Sequence, residues 1–390
     1  RVNGTVTLPL ALGSTMRAEI LAEGPDPAPV LALFKLPKLE LPPYRIAGTV
    51  INERTTLRIV GLDGRVGDSD IGGDLTVTLE GDRPAIAGEL RSSLIDIDDF
   101  GGLIGAQPGT GEGETASAGQ EAAAVEEAQD GEVIPDEPLE PSRWRMVDVD
   151  LDVNAEEVRA GRVPLDGLSG SILLDDGLLR LDPLTVRVGQ GRIEGNVELD
   201  GREAPIQADL AIDLRRLSVA RLLNRLDVDI GAFGTLSGSA RGGIGVAGEG
   251  LSVKEILADA NGEATLVMEG GSVDGRIVTA LGFDLLGLLG RVLNVTSQEV
   301  ELSCTLADLA VNDGIVTTRS LVIDTPVAEL GGDGTINLET EEIDITLLSR
   351  PKTTVAVPVE RTGITIGGTL AEPAVQINPA ELAVRGAAAA

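Results

Sequence analysis

The chain has 390 residues, enough for a sizeable core, and carries Lys+Arg 31 against Asp+Glu 63, a formal net charge of −32. That balance excludes a surface that grips nucleic-acid phosphates, and it excludes electrostatic capture of anionic lipid headgroups. There is no histidine, the commonest general base and metal ligand, and aromatics are only 2%, so the 42% hydrophobic content is almost wholly aliphatic and offers no stacking platforms.

The chain opens at Arg1 rather than Met and shows no leader pattern, so it reads as an excerpt of a longer protein. Over 1–100, short alternating runs broken by glycine predict a first β region, closed by a helical candidate in "DIDDFGGLIG". Residues 101–142 are rich in Gly, Ala, Glu and Pro and poor in large apolar residues, which predicts an acidic disordered linker. A second β region is expected over 143–272.

That region opens on "VDVDLDVNAEEV", in which Val147, Val149, Leu151 and Val153 alternate with Asp148, Asp150 and Asp152. A calcium loop of the D-x-D-x-D-G type needs glycine where this stretch has Val153. The apolar residues in the gaps, mostly β-branched, extend the backbone instead, so a strand with acids on its solvent face is expected. "LLDDGLLRL" (173–181), "VELDGREAPI" (197–206) and "LAVNDGIVTT" (309–318) carry Asp-Gly turn signals. "RRLSVARLLNRL" (215–226) has apolar residues at helical spacing, and 273–297 is expected to be an amphipathic helix. Its apolar run, Ile277 to Leu293, contains Asp284 and is shorter than the ~20 residues of a membrane span. A last β region is expected over 298–379, with Cys304 buried and inert on a strand, followed by a flexible tail at 380–390. Turn spacing gives roughly 18 to 22 strands of ordinary length.

The chain also repeats itself. A shift of 122 residues superposes Gly48 on Gly170, Val50 on Ile172, Leu57 on Leu179, Ile59 on Leu181, Leu62 on Leu184, Val66 on Val188, Ile71 on Ile193 and Gly73 on Gly195. A shift of 259 carries Leu62 to Leu321, Gly73 to Gly332, Val77 to Ile336 and Leu79 to Leu338. Copies that cannot cover their own apolar faces stack on one another. The predicted fold is mainly β: a long twisted antiparallel sheet of repeated β-groove units with a few short covering helices.

Such a sheet must hide one face, either as a dry core or as a trough floored for hydrocarbon. One two-chain lipid covering several hundred Å² of that face would gain on the order of 10 kcal/mol. The candidate floor comprises Val147, Val149, Leu151 and Val153; Leu184, Val186 and Val188; Ile206, Leu210, Ile212 and Leu214; Leu321 and Ile323; and Ile343, Ile345 and Leu347. No cofactor and no metal is expected. Acid pairs such as Asp175–Asp176 and Glu341–Glu342 fall in turns, where adjacent side chains point apart, and so do not read as a general-acid pair. "GGDGT" (331–335) lacks the tandem repetition of a calcium-binding adhesin.

Two stretches of the C-terminal third carry a resemblance: "ADLAVNDGIVTTRSLVIDTPVAELGGDGTINLETEEIDITLLSRPK" and "VPVERTGITIGGTLAEPAVQINP". In the L-x-I-D-T run, the G-x-G-x-I-x-L strand, the R-P close and the final G-T-L-x-x-P, the chain resembles the C-terminal region of the AsmA family. The likeness extends over 143–379 and, through the repeat, more loosely over 1–100. It implies a periplasmic protein anchored in the inner membrane, acting in phospholipid transport between inner and outer membrane and in outer-membrane assembly. The partners it implies are phospholipid acyl chains, the inner membrane and outer-membrane assembly proteins, and it brings no catalytic residues. A scaffold that regulates outer-membrane protein assembly without lipid cargo is the alternative.

Overall fold

Alternation of aliphatic and polar residues, punctuated by Gly and Asp-Gly, makes antiparallel strands the favoured local structure along most of this chain. In the computed structural model the described residues are 2–7, 16–25, 42–100, 133–136, 138–160, 163–219, 237–274, 299–326, 328–352 and 363–378. They form twenty-two strands, within the expected range.

In chain order the first ten are β1 (Val2–Thr7), β2 (Met16–Gly24), β3 (Tyr44–Glu53), β4 (Thr56–Val66), β5 (Ser69–Thr78), β6 (Ala85–Asp96), β7 (Asp148–Ala160), β8 (Val163–Leu165), β9 (Gly167–Asp175) and β10 (Leu178–Val188). Next come β11 (Gly191–Asp200), β12 (Ile206–Ser218), β13 (Ser239–Gly250), β14 (Asn261–Glu269), β15 (Ser272–Asp274) and β16 (Glu299–Glu301). The last six are β17 (Cys304–Asn312), β18 (Ile315–Asp324), β19 (Ala328–Asn337), β20 (Ile343–Pro351), β21 (Gly363–Gly368) and β22 (Pro373–Asn378). Among the described residues, the helical elements are a 3₁₀ turn at Ile97–Phe100, α1 (Pro141–Trp144) and α2 (Val253–Ala258), and Val219, directly after β12, is also helical.

The chain divides into two units, the first comprising 1–188, 193–210 and 249–256, the second 189–192, 211–248 and 257–390. In the first, β1 to β7 pair in chain order, followed by β9 and β10, and β8 adds to the end of β7. Every one of these pairings is antiparallel except β6–β7, which is parallel. Parallel neighbours require a crossover, and residues 97–147 supply it. In the second unit β13, β14 and β17 to β22 pair antiparallel in succession, with β15 and β16 as a separate pair.

The repeat is borne out residue by residue. β10 and β11 begin and end 122 positions after β4 and β5, and β19 begins and ends 259 after β5. The register of β4 slips between Ile59 and Leu62, and that of β10 at the matching Leu181 and Leu184. At the opposite strand ends, the Leu79 N–H donates to Thr55 O at 2.8 Å, Gly201 N–H to Gly177 O at 3.0 Å and Leu338 N–H to Gly314 O at 3.0 Å, three equivalent bonds. The bulge is built differently in each copy. Gly61 takes φ +63° and donates to Asp74 Oδ1 at 2.8 Å, Pro183 has no N–H to leave unpaired, and Thr318 Oγ1 accepts from Gly334 N at 2.8 Å.

Asp176 and Gly177 have φ +50° and +89°, Asp313 and Gly314 +46° and +68°, the two-residue turns read from "LLDDGLLRL" and "LAVNDGIVTT". Three expectations need correction. Arg215–Ser218 end β12 rather than beginning a helix, although the alternation of "IQADLAIDL" breaks there, with Arg215 and Arg216 both exposed and Arg216 at φ +51° before buried Leu217; Val219 is helical, and 220–226 lie outside the described residues. Ser272–Asp274 form a short strand, and 275–297 of the expected amphipathic helix lie outside the described residues. The stretch 133–142, read as linker, packs through buried Leu139; 101–132 and the tail 380–390 lie outside the described residues.

Gly73, in the interior of β5, has φ +140°, and a Cβ there would overlap the Glu89 carbonyl. Gly73→Ala is therefore expected to lower unfolding stability by about 1–3 kcal/mol, read from the denaturant midpoint.

Candidate functional site

The register of the first unit lines up one aliphatic face. Ala18, Val50, Ile59, Leu75, Gly88, Leu151, Ile172 and Leu181 stand opposite one another across successive strands. On one side of this row lies a second, Leu57, Val77, Ile86, Val149, Leu174 and Leu179; on the other lies Leu62, Gly73, Leu90, Val153, Gly170 and Leu184. No residue in these three rows is charged. Most are half-buried, Val77 and Leu62 being buried. A dry core would bury the middle row, as interiors are packed without gaps.

The other face carries the charge. Asp150 and Asp152 are exposed, as are Glu89, Arg91, Arg58 and Arg180. Asp148 accepts from Arg83 Nε at 3.1 Å, Asp152 from Ser171 Oγ at 2.5 Å, and Glu198 from Arg180 Nε at 2.8 Å. The acids thus engage separate partners along the strands instead of converging on a point. A shallow depression of about 400 Å³ is lined by Glu89, Arg91, Asp152, Asn154 and Ser171 together with Leu90, Val153, Gly170 and Pro183.

The predicted candidates fall as follows. Val147, Val149, Leu151, Val153, Leu184 and Val186 are half-buried, and Val149, Leu151, Val153 and Leu184 occupy the three rows; Val188 is buried at the strand end. Along β12, Ile206 is fully buried while Leu210, Ile212 and Leu214 are half-buried and alternate with exposed Gln207, Asp209 and Asp213. In the second unit Leu321 and Leu347 belong to one row with Leu266, Ala307, Gly332, Ile364 and Ile377, flanked by Ile323 and by Ile343 and Ile345. Leu347 and Ile364 are buried, and Leu321, Ile323, Ile343 and Ile345 half-buried. The floor read from sequence omits Val50, Ile59, Leu75, Ile172, Leu174 and Leu181. Four of these, Val50, Ile59, Ile172 and Leu181, are repeat matches at the shift of 122, and that is the signal that finds them.

Cys304 is exposed, against the expectation of a buried thiol. It begins β17 opposite Glu269 and Asp324, on the polar face, because Thr305 and Ala307 take the apolar parity.

Both strand ends of the apolar face in the first unit are covered. At one end Phe100, from the 3₁₀ turn, packs with Ile46 and Ile71 on buried Ala22, Tyr44 and Val66. Asp99 pins that turn: its Oδ2 accepts Ser69 Oγ at 2.6 Å, Ser69 N at 2.9 Å and Asp68 N at 3.0 Å. Burial pushes the Asp99 carboxyl up to about 6, with neighbouring Asp96 adding to the push and the bonds from Ser69 and Asp68 opposing it. At the other end Leu139 and Trp144 pack with Ile206 against Leu174, Leu199 and Ile256.

Among known proteins, residues 43–321 match the AsmA family. The chain is 27% identical over 358 residues to the AsmA family protein YhjG of Escherichia coli (strain K12), covering 90% of this chain and 51% of that protein. The chain therefore spans about half the length of this relative. No solved structure matches.

A carboxyl raised in the fold binds its proton more tightly there than in the unfolded chain. The stabilisation it brings is complete below the unfolded value near 3.8 and is lost as pH rises through about 6. The Ser69 amide is accordingly expected to exchange hydrogen faster, after correction for intrinsic rate, at pH 7 than at pH 5. Asp99→Asn should remove that difference, with Asp96 and Arg159 left in place.

Proposed function

The chain belongs to the AsmA family, and from that premise we propose that it is a non-enzymatic carrier of phospholipid acyl chains in the bacterial envelope. Family membership supports a role in outer-membrane and lipid-related processes. The finer reading is transport of phospholipid between inner and outer membrane, from a periplasmic position with an inner-membrane anchor. Among the described residues no helix is long and apolar enough to cross a membrane. Contacts with outer-membrane assembly proteins belong to the same proposal.

The observation that carries it is the uncharged, half-exposed aliphatic floor running in register through Val50, Ile59, Leu75, Leu151, Ile172 and Leu181. Such a surface gains free energy when hydrocarbon replaces water on it. At about 0.8 kcal/mol per buried methylene, an acyl chain of a dozen carbons gains on the order of 10 kcal/mol before the cost of ordering it. The charges on the reverse side keep the protein soluble with its floor filled. Headgroups, which that negative field repels when anionic, stay in water at the rim.

The chain purified from a bacterial envelope fraction should release phospholipid on organic extraction, with a matching mass increment in native mass spectrometry. Leu151→Asp combined with Ile172→Asp should abolish that release while leaving the far-ultraviolet circular dichroism of the sheet unchanged. Stoichiometric lipid retained by the double variant, or a lipid-free wild-type chain, would favour the scaffold reading.

A further inference from the structure

Where the row through Val149 and Leu174 reaches the strand ends of the second copy, the chain lies down on it. Residues 138–146, returning from the crossover, bring Leu139 and Trp144 onto Leu174, Leu199 and Ile206. Leu174 belongs to the aliphatic floor, so these two side chains cover the kind of surface that hydrocarbon would otherwise cover.

The attachment is peripheral. The Leu139 N–H donates to Leu251 O at 2.7 Å, Lys254 N–H to Pro135 O at 3.0 Å, Ser252 Oγ to Asp136 Oδ1 at 2.9 Å and Arg145 Nη1 to Arg202 O at 3.1 Å. α1 is a single turn whose N-cap residue, Glu140, makes no side-chain cap bond. An isolated turn of this kind has little stability of its own and persists through packing.

The seat belongs to the second copy alone. A Cβ on Gly201 would lie 2.7 Å from Pro141 Cβ and 2.8 Å from Trp144 Cε3. The first and third copies have Leu79 and Leu338 at the equivalent position, and the Leu79 side chain is exposed. One copy of the repeat has therefore given up a side chain where the strap docks.

We propose that residues 133–136 and 138–146 form a self-docked strap that holds an acyl-chain position on the floor, and that a fatty acyl chain and the strap compete for Leu174, Leu199 and Ile206. This rests on the lipid reading above, and it adds regulation to it: loading of this part of the floor requires the strap to lift. Trp144 is the chain's one tryptophan, so its emission reports on the seat directly.

The test uses the full chain with Cys304→Ser as background and 9,10-dibromostearate as probe. Asp136→Cys with Ser252→Cys ties the strap down when oxidised and frees it when reduced; Gly201→Val unseats it. Because a closed lid multiplies the apparent affinity by the fraction of molecules open, Gly201→Val should bind the probe on the order of tenfold more tightly than the background. The oxidised pair should bind less than the background and recover on reduction, and Trp144 emission should shift to the red with probe only when the strap is free to move. Should Gly201→Val fail to fold, the oxidised and reduced forms of the cysteine pair decide alone. Equal binding by tied and freed forms would overturn the strap while leaving the lipid reading intact. No binding by any form would overturn the lipid reading and the strap together.

Discussion

Everything in the first unit depends on register. Side chains alternate with a period of two, so a slip of one residue between any pair of strands would turn the aliphatic face beyond it toward the charged side. The risk is greatest at β6–β7, where the chain leaves the sheet for some fifty residues and returns parallel. There Ile86 meets Val149, Gly88 meets Leu151 and Leu90 meets Val153, while Glu89 meets Asp152 on the reverse. That last contact is between like charges, which is unfavourable for a directly opposed pair. It persists because a slip of one residue would turn Asp150 and Asp152 onto the aliphatic side, a far larger penalty.

The bulges obey the same constraint. Each copy gains an extra residue at the equivalent place, and each restores the parity of its strand afterwards: Leu62, Leu184 and Leu321 return to the face that Ile59, Leu181 and Thr318 left. Glycine, proline and a threonine hydroxyl meet the hydrogen-bond requirement in three different ways. What has been retained is geometry, with the chemistry of the bulge free to vary.

Much of this is legible in the sequence, and the reasons are specific. The strands of the floor announce themselves because Val, Leu and Ile alternate with Asp over stretches as long as "VDVDLDV", and the Asp-Gly turns demand positive φ that few other pairs supply. The matches Ile59 to Leu181 and Leu62 to Leu184, at the shift of 122, bracket the bulge in both copies. Covering elements are harder to read. Residues 215–218 have helical spacing yet form the end of a strand whose alternation breaks at Arg215 and Arg216, and the tertiary setting that decides between the two is not local. The strap over Gly201 has no periodicity at all; Leu139 and Trp144 sit in a stretch whose composition is that of a linker, and their burial follows only from where the crossover returns. Cys304 looks buried in sequence because its neighbours Leu302 and Leu306 are apolar, whereas its own parity is set by Thr305 and Ala307.

The separation of charge to one side of the sheet has a further consequence. The ionic attraction between a protein and its ligand fades over roughly 8–10 Å in physiological salt, and on the floor there is no such attraction to fade. In the language of wetting, the floor behaves as a strip of oil bounded by electrolyte. On the proposed lipid reading, it ranks acyl chains by length, branching and stiffness of the hydrocarbon. Ionic strength, which rearranges the counterions on the far side, leaves that ranking where it was.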